Sequence, residues 1–226
     1  MRTRNRLLGA GLGLCAVAAM AVVPLSAVSA VPASAQLPPG IHWGQSPFAP
    51  NCLEGPCRII FIVDKTQDPV FQLETIRWAE WMNFVRNHYA LQIPAFAYLG
   101  PGQGVQPDPG CAVGNGTIAV CRNDAVVDAD CSNPEPSTIR CTTFNVNLSN
   151  AHILWSRSSF RTQPLEPADV WNVVCAALGR SIGMQPSGDA SSCLQSNITL
   201  GTGQEKYYVD SDWIALFTLY NHPAGS

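Results

Sequence analysis

Cysteine content is the feature of this sequence that most constrains its fold. The chain has 226 residues and nine cysteines, eight of which follow residue 35. An even number of cysteines in an exported chain predicts four disulfides, although sequence alone allows 105 pairings, of which neighbour pairing is the simplest. The eight are Cys52, Cys57, Cys111, Cys121, Cys131, Cys141, Cys175 and Cys193. Zinc–thiolate binding is disfavoured because the sequence has no Cys-x-x-Cys pair.

The first 35 residues have the pattern of an export signal. Three arginines within the first six residues precede an apolar run that ends at Val23, and residues 33–35 are small, as a cleavage site requires. We therefore predict a signal peptide at residues 1–35 and a mature chain that begins at Gln36. A retained membrane anchor is disfavoured because Pro24 interrupts the run before the roughly 20 residues that a spanning helix needs. The predicted location is extracellular or in the cell envelope.

The charge of the mature chain excludes one class of partner. The predicted signal contains three of the 13 basic residues and none of the 16 acidic ones, which leaves 10 basic against 16 acidic residues and a net charge of −6. Because no basic stripe is present to release counterions from phosphates, we do not expect nucleic-acid binding. The length fits a single domain with a hydrophobic core, and we expect a monomer without a membrane span after signal cleavage.

Apolar periodicity predicts the first half of the fold. Residues 36–56, rich in proline, glycine and asparagine, are predicted to form an irregular N-terminal arm. Residues 58–64 are an apolar run of β-formers and predict a buried central strand. Asp68-Pro69 is typical of a helix start, and residues 91–99 predict a second strand. The predicted apolar stripe of the helix consists of Phe71, Trp78, Met82, Val85 and Tyr89.

The second half has fewer continuous apolar runs. Residues 101–136 are dense in proline, glycine, aspartate and cysteine, which predicts loops held by disulfides around a short strand at 117–121. Residues 143–148 alternate apolar and polar side chains and predict an edge strand, and 152–155 predict another strand. Helices are predicted from Pro167 and over 210–221. This order of strands and helices predicts a mixed α/β fold.

The most specific pattern in the chain lies at Cys175–Ser187. This segment has the spacing of His-Glu-x-x-His-x-x-Gly-x-x-His, in which three histidines bind zinc and the glutamate is the general base. The ligand positions fall on Ala176, Arg180 and Pro186, and the base position falls on Ala177. The glycine of the pattern is kept as Gly183. Alone, the segment is equally consistent with an ordinary amphipathic helix that ends at a glycine.

Three further segments follow the order expected around such a motif. Residues 58–69 contain an apolar strand that leads through Val-Asp-Lys-Thr to a long helix, and Ser192–Leu194 occupies the place of a methionine-containing turn, with leucine replacing the methionine. Residues of a closing helix are Asp212, Leu216, Tyr220 and His222. Together with the motif, they resemble the metzincin metalloproteases, matrixin-like and of the small secreted bacterial type. The resemblance covers most of residues 57–222, with a poorly matched middle.

The resemblance implies a metzincin-like domain at residues 57–222. Its fold would be a twisted mixed sheet with two long helices, followed by a small C-terminal subdomain with a final helix. It also implies a disulfide between Cys175 and Cys193, because the motif helix and the following turn pack together in that fold. Arg180 would lie on the metal-facing side of the helix. We expect Asp189, Asp64 or a carboxylate of a bound partner to balance its charge.

The residues at the motif positions argue against catalysis. Alanine and proline side chains donate no lone pair, and a protonated guanidinium repels a divalent cation, so we expect no bound zinc and no other cofactor. Without metal or glutamate, water is not activated. The four histidines are His42, His88, His152 and His222, and none lies four residues from another. We expect each to be an ordinary histidine rather than part of a relocated metal site.

Three functional readings follow from this pattern. The one we favour is a secreted, catalytically inactive metalloprotease homologue that uses the former cleft to bind an unidentified protein or peptide. One alternative is a divergent active zinc metalloendopeptidase, which would contain metal when purified. The other is a structural cell-envelope protein, which would have neither metal nor a peptide-sized cleft.

Overall fold

The computed structural model describes residues 42–43, 59–89, 93–131, 134, 137–147 and 152–220. This part of the chain is mixed α/β, with six strands and four α-helices. The strands are β1 (His42–Trp43), β2 (Ile59–Asp64), β3 (Ala95–Leu99), β4 (Thr117–Arg122), β5 (Arg140–Asn147) and β6 (His152–Phe160). The helices are α1 (Pro69–His88), α2 (Asp124–Asp130), α3 (Pro167–Ser181) and α4 (Asp210–Tyr220). None of these helices combines the length and apolarity needed to cross a bilayer.

A single six-stranded sheet organises these elements. Strands β1, β6, β4, β2 and β3 pair in parallel in that order, and β5 pairs antiparallel with β6. The pairing of β5 extends along residues 152–160 of β6, so β1 and β4 must share the other edge of that strand. Strand β5 is therefore an edge strand, as its alternating sequence predicts, and no other described strand pairs with it.

The two long helices pack on one face of the sheet. Trp78 of α1 contacts Phe96 of β3 with ring centroids 5.0 Å apart, and Ser158 of β6 donates to Ala177 O of α3. The strand registers place Phe96 and Ser158 on the same side, because paired residues in adjacent strands point to the same face. The hydrophobic core therefore lies between this face and the two helices.

The prediction that β2 is a buried strand is only half right. The strand is interior to the sheet, but only its helix-facing residues are buried, whereas Ile59 and Phe61 on the other face are 53% and 40% exposed. A continuous apolar run predicts burial on both faces, as in sheets covered by helices on each side. Here both long helices lie on the same face, so the opposite face stays partly open.

Helix α1 begins as the sequence predicts. Asp68 is the N-cap, its carboxylate accepts from Val70 N, and Pro69 occupies the first turn, where no N–H is needed. The predicted apolar stripe is buried except for its last member, Tyr89. Tyr89 is 65% exposed because the helix ends at His88 and Tyr89 is its C-cap.

The predicted N-terminal arm is not wholly irregular. His42 and Trp43 form β1 against residues 152–153, and the Trp43 indole donates to Ser181 O at 2.7 Å. This contact joins the arm to the end of α3 across 138 residues of sequence. A two-residue strand has no periodicity, so the sequence could not indicate it. The rest of the arm and the predicted signal peptide lie outside the described residues.

Two disulfides hold the cysteine-rich middle of the chain. Cys111 pairs with Cys121 and Cys131 pairs with Cys141, with Cα–Cα distances of 6.0 and 5.8 Å. Both are neighbour pairs along the sequence. Cys52 and Cys57 lie outside the described residues.

The region predicted as loops contains one unexpected helix. Helix α2 is capped by Asn123, whose side chain accepts from Ala125 N. Strand β6 also continues to Phe160, five residues beyond its predicted end. The polar run at residues 156–159 hides this continuation in the sequence, although Ser156, Ser158 and Ser159 are fully buried.

Candidate functional site

Helix α3, which carries the motif positions, is the most buried helix described. Every residue from Asp169 to Ser181 is buried. An amphipathic surface helix would leave one side to solvent, whereas α3 is a core helix that ends before a glycine. The helix lies beneath the sheet and is covered on its other side by the chain that follows it.

The end of α3 is fixed by Gly183. This glycine has φ +96°, and the hydrogen bonds Gly183 N to Arg180 O and Met184 N to Gly179 O form a Schellman motif. The left-handed conformation is strained for any residue with a Cβ atom. Gly183 therefore turns the chain away from the helix, as the sequence pattern predicts.

The turn that follows packs directly against α3. Cys193 is joined to Cys175, with Cα atoms 6.0 Å apart, which is the pairing that the resemblance implies. Leu194 is 1% exposed and lies over Gly179. A Cβ atom at Gly179 would meet Leu194 Cδ2 at 2.6 Å and Tyr208 Oη at 2.5 Å. The missing side chain at Gly179 thus allows helix and turn to approach closely.

We expect Gly179→Ala to destabilise the protein by about 1 to 2 kcal/mol. An extra methyl in a packed core costs about 1–3 kcal/mol, and the better helix propensity of alanine offsets up to about 1 kcal/mol of this. Urea unfolding of the variant measures the effect. Gly188→Ala is the matched control, because a Cβ atom there meets nothing within 4 Å. Equal unfolding midpoints for the two variants would show that the contact at Gly179 is not tight.

Polar side chains of α3 bind the C-terminal part of the chain. Asn172 accepts from Lys206 N at 2.7 Å and donates to Gln204 O at 2.8 Å. The Tyr208 hydroxyl accepts from the Trp78 indole at 2.9 Å and donates to Cys175 O at 3.3 Å. These bonds satisfy buried polar groups that would otherwise oppose folding.

Hydrogen bonds join the final helix, α4, to the end of α3 and to the turn that follows it. Tyr220 donates to Ile182 O at 2.7 Å, and the buried carboxylate of Asp212 accepts from Ser192 Oγ and from Val209 N. Together with Trp43, Tyr220 satisfies carbonyl groups at the C-terminal end of α3. The motif helix, the turn and the last helix therefore form one packed unit.

The motif positions differ in their surroundings. Ala176 and Ala177 are completely buried, Arg180 is 5% exposed, and Pro186 is half-buried. A ligand that approaches from solvent would therefore meet Arg180 before it met either alanine. None of the four side chains can donate a lone pair to a metal.

The acidic partners predicted for Arg180 are not its partners. Asp189 accepts from Ser191 N at 2.8 Å and from the Ser191 hydroxyl, and Asp64 accepts from Thr66 N at 2.8 Å and from Tyr98 at 3.3 Å. No hydrogen bond or ion pair joins the Arg180 guanidinium to a described residue, and its Nε is buried without an acceptor. Both carboxylates are used in local turns and strands instead. This local use explains why neither aspartate pairs with Arg180, whereas the carboxylate of a bound partner stays a prediction.

A second buried arginine lies near the first. Arg140, the first residue of β5, is 3% exposed, and its Nε also has no acceptor. Burial, and then the charge of Arg180, lower the pKa of Arg140 to about 9, whereas burial lowers the pKa of Arg180 to about 10. Both groups therefore remain protonated at neutral pH. Sequence reasoning missed Arg140 because nothing near it in sequence suggested burial.

The surface between α3 and the edge of the sheet is unusually polar. Thr142 Oγ1 and Ser158 Oγ donate to Ala177 O at 3.5 and 3.3 Å, and Ser158 bonds to Ser181 at 2.8 Å. The β5–β6 register and strand alternation place Arg140 and Ser156 on this same face, and Ser156 Oγ is buried without a partner. The interface thus contains donors that no acceptor among the described residues satisfies.

Two of the four histidines lie close together. His42 and His152 face each other across the β1–β6 pairing with ring centroids 5.4 Å apart, and Tyr220 stacks on His42. The strand pairing creates this proximity, which the sequence separation concealed. No group of three potential ligands occurs among the described histidine, cysteine and acidic residues. His222 lies outside the described residues.

A cavity of about 520 Å³ lies elsewhere, at the carboxyl ends of β2 and β4 and the start of α1. Its charged groups neutralise one another. Lys65 pairs with Asp108 at 2.9 Å, and Arg122 pairs with Asp68. This cavity therefore presents no uncompensated charge to a ligand. In contrast, Arg140 and Arg180 at the β5–α3 interface have no acidic partner among the described residues.

Comparison with known proteins adds no assignment. No family model matches the sequence, and no curated protein matches it.

Proposed function

We propose that this protein is a secreted metzincin-like protein without catalytic activity, which acts by binding a protein or peptide partner at the former cleft. The proposal rests on a difference between two groups of residues in α3 and the turn that follows it. Gly183, the glycine of the pattern, and Gly179 of the same helix are the residues that their geometry requires. The positions of the three zinc ligands and the general base hold Ala176, Ala177, Arg180 and Pro186.

The packing of the motif helix supports this reading. The turn at Cys193-Leu194 lies against α3, and the final helix contacts the end of α3 through Tyr220. The mixed sheet with two long helices on one face and a C-terminal final helix agrees with the architecture that the resemblance implies. These features support a fold in which the helix and turn are retained for binding rather than for metal-dependent catalysis.

The chemistry of the motif positions supports a binding role over hydrolysis. Peptide hydrolysis at such a site needs three metal ligands and a base that accepts a proton from the bound water. Two methyl groups, a guanidinium and a pyrrolidine ring provide neither. The edge strand β5 lies against α3, which contains Arg180, and an edge strand can pair with an extended peptide.

We expect the purified secreted protein to hold no stoichiometric zinc after dialysis and to cleave no peptide bond. Elemental analysis and a cleavage assay with casein and mixed peptides measure the two properties. About one tightly held zinc ion per chain, with cleavage, would establish the divergent-peptidase alternative and contradict the proposal.

A reconstruction tests the metzincin-like geometry itself. The variant Ala176→His, Ala177→Glu, Arg180→His and Pro186→His restores every ligand and the base. If the scaffold is metzincin-like, this variant should bind one zinc ion per chain, because the three imidazoles would converge. The control variant carries the same changes except Arg180→Gln. A folded reconstruction that binds zinc no better than this control would refute the proposed geometry.

A further inference from the structure

Two positive charges are buried at the interface between β5 and α3, where Thr142 Oγ1 donates to Ala177 O. Arg140 and Arg180 are 3% and 5% exposed, and no described carboxylate pairs with either. An isolated buried charge costs several kcal/mol, and a like charge beside it adds to that cost. Among the other described arginines, Arg77, Arg122, Arg157 and Arg161 have acidic partners, and Arg86 donates to Ile93 O and Asn87 Oδ1. Arg140 and Arg180 differ from all of these in having no acceptor among the described residues.

The unpaired groups at this place are hydrogen-bond donors. The Nε atoms of Arg140 and Arg180 are buried without acceptors. A guanidinium has five donor positions and no acceptor, so neither arginine can satisfy the other. The hydroxyl of Ser156, on the same face of the sheet but opposite Phe144 and therefore four residues further along, is also buried without a partner. The group that would complete this arrangement is rich in acceptors and negatively charged.

We propose that Arg140 and Arg180 form an anion-binding site that takes a carboxylate. A carboxylate has two coplanar acceptor oxygens, which match the planar donor fork of a guanidinium in a bidentate pair. Each arginine keeps a few per cent of its surface exposed, so the site lies at the boundary with solvent. The site combines the first residue of an edge strand with the next-to-last residue of α3.

The carboxylate that binds to this site can come from two sources. One is a small free carboxylate, and the other is a carboxylate of a peptide bound along the edge strand. The second source rests on the proposed function, because it requires a partner at the former cleft. The site itself does not, since it depends only on the two arginines.

Thermal unfolding of the full secreted chain tests the site. A ligand that binds only the folded state raises the unfolding temperature with its concentration. We expect sodium acetate to raise this temperature more than sodium chloride at equal ionic strength, with saturation. Arg140→Gln and Arg180→Gln should each weaken acetate binding by roughly tenfold or more, because each removes a charge-assisted hydrogen-bond donor. Arg180→Lys should give an intermediate loss, because it keeps the charge but not the planar fork.

Arg77→Gln is the matched control, since its guanidinium already bonds to Glu205. It should leave the acetate response unchanged. Without ligand, the variants at Arg140 and Arg180 should be at least as stable as the parent, because each removes an uncompensated buried charge. Equal effects of acetate and chloride on the parent would overturn the site, as would an acetate response that survives both substitutions.

Peptides separate the site from the proposed function. A peptide with a free C-terminal carboxylate, its amide, and an amide with one internal glutamate are compared by calorimetry. Stronger binding of either carboxylate-bearing peptide, lost in Arg180→Gln, supports the peptide source. Acetate binding without binding of any peptide supports the anion-binding site and counts against the proposed peptide-binding function. Peptide binding that is unchanged by Arg140→Gln and by Arg180→Gln, with no acetate response, supports the proposed function and refutes the anion-binding site.

Discussion

Loss of the Cys175–Cys193 disulfide should lower the stability of the protein by about 3 kcal/mol. The bond spans 18 positions of sequence, and both cysteines are fully buried. In the chain-entropy model, closing a loop of this length restricts the unfolded chain by about 3 kcal/mol. The bond also joins the motif helix to the turn that covers it. We therefore expect the double variant Cys175→Ala, Cys193→Ala to unfold roughly 6–12 °C below the parent.

The Cys111–Cys121 disulfide provides the control. It closes a shorter loop, with a sequence separation of 10, and its cysteines are also buried. The variant Cys111→Ala, Cys121→Ala should lose somewhat less stability, because the entropic effect grows with loop length. The calorimetric unfolding temperatures of the two variants measure the difference. Non-reducing peptide mapping must recover Cys175 joined to Cys193; a peptide that joins Cys175 to any cysteine of residues 111–141 would disprove the pairing.

The second large effect concerns pH and Asp64. Burial raises the pKa of this carboxyl to about 6, despite hydrogen bonds from Thr66 and Tyr98 that favour the ionised form. The unfolded value is near 3.8. Between these two values the folded protein binds more protons than the unfolded chain, so the contribution of Asp64 to stability falls as pH rises. The difference of about two pKa units corresponds to about 3 kcal/mol.

Asp64→Asn removes this dependence. Asparagine keeps the oxygen that accepts from Thr66 N but does not ionise. We expect the stability of the variant relative to the parent to increase by about 2 kcal/mol between pH 4 and pH 7, measured by urea unfolding at several pH values. Asp189→Asn is the control, because hydrogen bonds from Ser191 lower the pKa of that exposed carboxyl and reverse the sign. A constant difference between parent and Asp64→Asn would show that Asp64 ionises normally.

Sequence patterns were sufficient where the physical cause is local. The cap at Asp68, the proline starts of α1 and α3, and the left-handed Gly183 depend on backbone geometry within a few residues. The apolar stripe of α1 and the alternation in β5 follow from the periods of helix and strand. The mixed α/β class followed from the order of these elements.

Burial across the sheet could not be predicted in the same way. The exposed side of β2 depends on both long helices packing on one face, which no property of residues 59–64 reveals. The serines of β6 interrupt the apolar pattern of a strand, yet Ser158 is buried beneath α3 and Ser159 is buried on the other face, where it donates to Asp130 of α2. The face-to-face position of His42 and His152 results from a two-residue strand pairing.

The sequence by itself determined most of the elements, the disulfide-rich character of the chain and the absence of metal-binding side chains at Ala176, Arg180 and Pro186. These follow from local periodicity and from the chemistry of single side chains. Only the tertiary structure placed Arg140 beside Arg180, left both without an acidic partner, and directed Asp64 and Asp189 to other groups. Charge pairing inside a protein depends on distances across elements far apart in sequence, and folding alone sets those distances.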